Sequence, residues 1–288
     1  MDPGIQKVLD GMNALEGPPA HEVPVEQARA GHEQETKVLA GPGEEVGAIE
    51  DTELAGVPVR IYTPREPKAG TVAYFHGGGW VVGSIDSFDT ACRALTNASG
   101  ATVVSVGYRL APEHPFPAGL EDCAAVTRVL DAPLAIAGDS AGGNIAIAVA
   151  RRLRDNITGT ALIYPVTEAG LNTPSMRDFK ERYGLTAVGL ERYWNLYLDG
   201  ADGLQADASP LRADDLEGLP PTYVLTAEFD VLRDEGEAFV KKLEAAGVDV
   251  THHRFDGTIH GFWRWMAATP KTREAIDEVG AALRDMLA

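Results

Sequence analysis

Leu134-Ala135-Ile136-Ala137-Gly138-Asp139-Ser140-Ala141-Gly142-Gly143 decides how this chain is read. The four apolar residues at 134–137 form a short buried strand. The alanine-rich stretch at 144–153 reads as a helix. Between them lies a serine flanked by glycines. A strand that turns directly into a helix at a serine holds that side chain at the tip of a strained turn, and only very small neighbours allow so sharp a bend. Ser140 is therefore a candidate nucleophile, and the rest of the chain can be searched for its helpers.

Working outward, the pattern is one of strands alternating with helices. Strands are predicted at 71–75, 102–106, 160–164, 222–226 and 248–255, with helices at 87–98, 118–130, 234–246 and 270–287. This alternation predicts a mostly parallel sheet flanked by helices on both faces, an α/β fold. Two further strands are expected at 46–54 and 57–62, before the alternation begins. The N-terminus reads as two short helices, 4–15 and 24–31, broken by Gly17-Pro18-Pro19. Between 168 and 206 the alternation lapses. That stretch is polar, holds a helical segment with Tyr193, Trp194 and Tyr197, and is read as an insertion lying over the sheet. The expected organisation is an N-terminal cap segment (1–44), a first core part (45–167), a cap insertion (168–206) and a second core part (207–288).

The 288 residues allow one large α/β domain, and the 44% hydrophobic content is ordinary for a globular protein. No apolar run is long enough to span a bilayer, and Met1 to Asp10 shows no signal-peptide pattern, so a cytoplasmic protein without integral membrane association is expected. The formal net charge of −18 argues against nucleic acid and anionic membranes as partners. Cys92 and Cys123 lack metal-ligand spacing and are expected to be buried free thiols.

A serine hydroxyl needs a base, and the base needs an orienting acid. On such an elbow the chain order is serine, acid, histidine. Asp230 follows the strand at 222–226, and His260 follows the strand at 248–255, so both sit at the carboxyl edge that presents Ser140. Glu228 and Asp234 flank Asp230. Asp234 suits a helix N-terminus and Glu228 a local hydrogen bond. His260 is the only histidine in a glycine-flanked loop beyond the last strand, whereas His252 and His253 alternate within it. His76-Gly77-Gly78-Gly79 follows the strand at 71–75, where backbone N–H groups can turn toward an oxyanion. The expected donors are Gly77, Gly78 and Ala141, each contributing about 3–4 kcal/mol of transition-state stabilisation. A phosphate loop is excluded, because Trp80 follows the glycines instead of Lys and Ser or Thr.

With these residues in view, the chain resembles the bacterial hormone-sensitive-lipase-like esterases of the α/β-hydrolase superfamily. The resemblance rests on His76 to Trp80, Tyr108-Arg109-Leu110-Ala111-Pro112-Glu113-His114-Pro115-Phe116-Pro117-Ala118, Gly138 to Asn144, Asp230 with Leu232 to Gly236, and His260-Gly261-Phe262. It implies a Ser140–Asp230–His260 triad, a helical cap and hydrolysis of short-acyl carboxylic esters without cofactor or metal. The family usually has proline after the catalytic aspartate; this chain has Val231. Arg109, Glu113 and the prolines are read as bracing the site through an ion pair and rigid turns. Asp139 is expected to face away from the pocket and bond nearby backbone. The cap aromatics are read chiefly as packing. The same triad would serve an amide hydrolase such as a deacetylase or formamidase, and a receptor on this fold would need only the pocket. The expected partner is a small-molecule ester. A homodimer is also expected to be possible through the strand at 248–255, read as lying near a sheet edge.

Overall fold

The alternating strands and helices build one eight-stranded sheet. The computed structural model describes residues 1–15, 17–68, 70–170 and 172–288. The strands are β1 (Ala48–Leu54), β2 (Val57–Thr63), β3 (Thr71–Phe75), β4 (Thr102–Val106), β5 (Leu134–Asp139), β6 (Gly159–Ile163), β7 (Thr222–Phe229) and β8 (Val250–Ile259). Their spatial order is β1-β2-β4-β3-β5-β6-β7-β8. β2 runs antiparallel to both β1 and β4. Every other neighbouring pair is parallel. The loops that leave β3, β5, β7 and β8 therefore open on one edge of the sheet, where such folds place their chemistry.

The inner strands β3 to β7 are buried on both faces, so their side chains alternate between two cores, whereas the outer β1 and much of β8 are exposed. Val72 and Tyr74 of β3 pack on one side with Leu95 of α3 (Asp89–Ser99) and Val279 of α9 (Pro270–Met286). Ala73 and Phe75 pack on the other with Leu120 of α4 (Ala118–Val129) and Ile145 of α5 (Ala141–Leu153). The fully buried Phe239 and Leu243 of α8 (Arg233–Ala245) extend that second core. α3 and α9 approach so closely that a Cβ on Gly280 would lie 2.5 Å from the Ala98 Cβ. Cys92 and Cys123 are buried free thiols on α3 and α4, as expected.

Two N-terminal helices, α1 (Pro3–Ala14) and α2 (Val25–Leu39), precede the sheet. Residues 168–206 carry α6 (Pro174–Asp178) and α7 (Ala187–Leu198). α2 is longer than the sequence reading, which stops at Gly31. A glycine inside a helix costs about 1 kcal/mol against alanine, but tertiary bonds beyond it offset the cost. Thr36 Oγ1 accepts from Arg264, and the Leu39 carbonyl accepts from Ala267 N at 2.9 Å. β8 also runs past 255, so His260 lies directly at its end. β8 is an outer strand, and both His252 and His253 are exposed on it rather than one facing the core. Among the described residues no helix is long and apolar enough to cross a membrane.

Candidate active site

Ser140 links β5 to α5 with φ of +54°, a left-handed conformation rare for a residue with a side chain. Such a backbone costs on the order of 1–3 kcal/mol and persists only where its surroundings hold it. Here Ser140 N donates to Ile163 O at 2.9 Å, and its carbonyl accepts from Val166 N and Asn144 N at 3.2 and 3.1 Å. The flanking glycines answer to close approach. A Cβ on Gly142 would lie 1.9 Å from Phe75 O, and one on Gly138 would lie 2.4 Å from Gly142 O.

The structure brings Ser140, Asp230 and His260 together. His260 Nε2 lies 2.8 Å from Ser140 Oγ, and His260 Nδ1 lies 2.8 Å from Asp230 Oδ2. The Asp230 side chain is fully buried, and its other oxygen accepts from Leu232 N at 2.9 Å. Val231 is buried, and its carbonyl accepts from Ser175 Oγ at 3.0 Å, so the loop is tied down without the usual proline. The neighbouring acids are engaged elsewhere. Glu228 Oε2 accepts from Gly257 N at 2.6 Å, and Asp234 Oδ2 accepts from Ser175 N at 2.7 Å. The ring of Tyr164 lies 4.6 Å from the His260 ring, centroid to centroid, and walls the imidazole.

One expected site residue takes a different role. Gly77 N donates to Asp139 Oδ1 at 2.8 Å, so its N–H is engaged inside the protein and is not free for an oxyanion. The physical reason is the approach of the two loops. The aspartate beside the nucleophile reaches across from β5 to the end of β3, where Tyr74 also donates to it at 2.7 Å. Gly78 and Gly79 line the cavity that holds Ser140 and His260. Among the described residues the N–H groups of Gly78, Gly79 and Ala141 donate to no protein acceptor. Burial pushes the Asp139 carboxyl up to about 6, against the lowering effect of Tyr74 and other nearby groups.

The loop that carries these glycines is braced from below. Tyr108 donates to His76 O at 2.7 Å and stacks on the His76 ring at 4.3 Å. His76 Nδ1 lies 2.8 Å from Gly77 O, and burial lowers its pKa to about 4. Arg109 pairs with Asp122 at 2.7 Å, and Glu113 with Arg29 of α2 at 2.6 Å. The bracing read from this segment is thus made by two ion pairs to other elements. The aromatics of α7 divide: Tyr197 and Trp194 pack on Trp80 at 4.1 and 4.6 Å, whereas Tyr193 lines the cavity.

The cavity has a volume of about 440 Å³ and lies between the sheet edge and residues of α1, α2 and the 182–193 stretch. Its N-terminal wall carries an ion pair that the sequence did not single out, Arg264 Nη2 to Glu35 Oε1 at 2.9 Å. Tyr74 was also missed, and Glu235 was noted only as part of the 232–236 motif, without a role. Glu235 is fully buried behind Asp230, and its Oε1 accepts from Thr167 N at 2.6 Å. The position of Glu235 on the buried face of α8 with Phe239 and Leu243 was the signal for its burial; Tyr74, Glu35 and Arg264 carry no local signal.

A parallel sheet with a serine at the turn after a central strand, a histidine in hydrogen-bond reach and a buried carboxylate behind it defines a serine hydrolase of the α/β type. Comparison agrees. A family described as alpha/beta hydrolase fold matches residues 72–264. A carboxylesterase of Mycobacterium tuberculosis is 37% identical over 81% of this chain and 80% of its own length. The ethyl acetate hydrolase of Pseudomonas putida is 34% identical over 98% of this chain and 97% of its own. The solved hyperthermophilic esterase of the archaeon Pyrobaculum calidifontis superposes with a TM-score of 0.93 at 36% identity, covering 99% and 98% of the two chains. The chain belongs to the α/β-hydrolase family, among its hormone-sensitive-lipase-like esterases.

Proposed function

We propose that this chain is a serine carboxylesterase of short-acyl esters in which Ser140 is the nucleophile, His260 the base and Asp230 the orienting acid. The observation that carries the assignment is the continuous chain of two 2.8 Å contacts from Ser140 Oγ through the imidazole to Asp230. His260 Nε2 takes the hydroxyl proton as Ser140 Oγ attacks the ester carbonyl. The N–H groups of Gly78, Gly79 and Ala141 receive the developing oxyanion, and the N-terminus of α5 adds a favourable dipole. The imidazolium, held by Asp230, then protonates the leaving alkoxide. Water attacks the acyl-enzyme with the same histidine as base, and the acid departs. The modest cavity and the ethyl acetate hydrolase among the relatives support a short acyl group.

Residues 1–44 and 168–206 are read as acting together as the cap. Supporting this, Arg192 of the insertion donates to Val23 O of the N-terminal segment, and both parts line the cavity. The test is turnover of p-nitrophenyl esters from acetate to dodecanoate beside p-nitroacetanilide. Turnover should be greatest for the short esters and slight for the anilide, and Ser140→Ala should lower it by on the order of 10⁴–10⁶-fold. A variant keeping a tenth of the activity would assign the nucleophile elsewhere, and an anilide turned over as fast as its ester would make the chain an amidase.

A further inference from the structure

The cap end of the cavity presents a rigid, half-used carboxylate. Glu35 of α2 lines the cavity together with Arg264 and Trp265, which follow the His260 loop. Its Oε1 accepts from Arg264 Nη2 at 2.9 Å and from the Trp265 indole N–H at 3.2 Å. Arg264 is itself fixed, with Nη1 donating to Thr36 Oγ1 at 2.6 Å, its guanidinium 5.7 Å from the Phe88 ring centroid and its side chain 9% exposed. Two donors on one oxygen lock the carboxylate in place. Both donors sit on Oε1; among the described residues Oε2 receives no protein donor, and the Glu35 side chain is 30% exposed.

We propose that Glu35 is a specificity-determining residue, and that the site prefers esters carrying a hydroxyl group that donates to Glu35 Oε2. This rests on the esterase reading above. The physical argument is one of exchange. A plain alkyl group seated against Oε2 strips it of water and offers nothing in return, whereas a hydroxyl replaces the lost hydrogen bond. Bonds to a charged acceptor are the stronger ones, and a site built to bond a substrate hydroxyl discriminates against the analogue that lacks it. The Arg264 and Trp265 bonds hold Glu35 where it would otherwise swing into solvent, so the acceptor is presented in one place.

The test uses the full chain and two isosteric pairs. Propyl butyrate against 2-hydroxyethyl butyrate probes the alcohol side, and ethyl butyrate against ethyl 3-hydroxypropanoate probes the acyl side. In at least one pair, kcat/KM for the hydroxylated ester should exceed that of its partner by about tenfold. In the doubly apolar Glu35→Leu with Arg264→Met that ratio should fall to near one, and in Glu35→Gln it should fall part of the way, because the amide offers only an uncharged partner. Each ratio is read within one variant, so loss of folded protein cancels. Ratios of one in both wild-type pairs, or a tenfold ratio that survives in both variants, overturns the proposal alone. Turnover of none of the four esters by the wild type overturns the esterase reading, and this proposal with it.

Discussion

Replacing Asp139 separates its two roles. Its Oδ1 holds the Gly77 N–H at 2.8 Å and the Tyr74 hydroxyl at 2.7 Å, so it ties the elbow to the loop that carries Gly78 and Gly79. Asp139→Ala leaves both buried donors without a partner, at a cost of about 1–3 kcal/mol each. It also frees the loop to shift its N–H groups away from the oxyanion. Misplacing one such donor lowers kcat by about 10²–10³-fold. Asp139→Asn keeps a carbonyl oxygen at the same place and should hold kcat within about fivefold, a small fraction of that loss. The charge itself works against the fold. Burial raises the carboxyl from 3.8 to about 6, so the protonated form is favoured in the folded state. Its contribution to stability is present below pH 3.8 and is lost as pH rises through about 6. That loss amounts to roughly 3 kcal/mol on the scale of 1.36 kcal/mol per pH unit. At pH 8 the asparagine variant should therefore melt a few degrees above wild type, while the alanine variant melts below it. The assay is kcat and KM on p-nitrophenyl butyrate, with Ki for a trifluoromethyl ketone that forms the tetrahedral adduct. In Asp139→Ala, Ki should rise in step with the fall in kcat while KM stays level. A folded Asp139→Ala with kcat within threefold of wild type would refute the reasoning. So would an Asp139→Asn that loses as much activity as the alanine variant.

Burial pushes the Glu235 carboxyl from 4.5 up to about 8, so its stabilising proton is lost between those values and the fold weakens as pH rises through them. Glu235→Gln keeps an acceptor for Thr167 N and should flatten the dependence of Tm on pH over that window; an unchanged slope would show that another group sets it. The outer position of β8 predicts that two copies pair along it at high concentration, which sedimentation equilibrium would show as a dimer. Arg254→Pro, placed in that strand, should return the protein to a monomer, and a dimer that persists would place the contact elsewhere.

The inner strands were legible because each is a short apolar run bounded by glycine, proline or polar residues, and β3 and β4 appear at the positions expected. The meeting of Ser140, Asp230 and His260 was legible from chain order, since each directly follows a strand at one sheet edge. What failed was what depends on contacts between distant segments. Gly77 looked like its neighbour Gly78, and nothing local reveals that its N–H is taken by Asp139 across the sheet. Glu35 and Arg264 lie far apart in the chain, Glu35 on the half of α2 beyond Gly31 that was not foreseen and Arg264 just after the His260 loop. Their meeting depends on how α2 folds back over the site. Periodicity reports which face of an element is buried and not which partner covers it.

The central claim is that Ser140 is a nucleophile activated by His260. A fluorophosphonate probe with mass spectrometry of the labelled peptide tests it most directly. Stoichiometric labelling at Ser140, absent in Ser140→Ala and slowed by orders of magnitude in His260→Ala, is the predicted result. Folded wild-type protein that takes up no probe, or takes it up at another residue, would contradict the account.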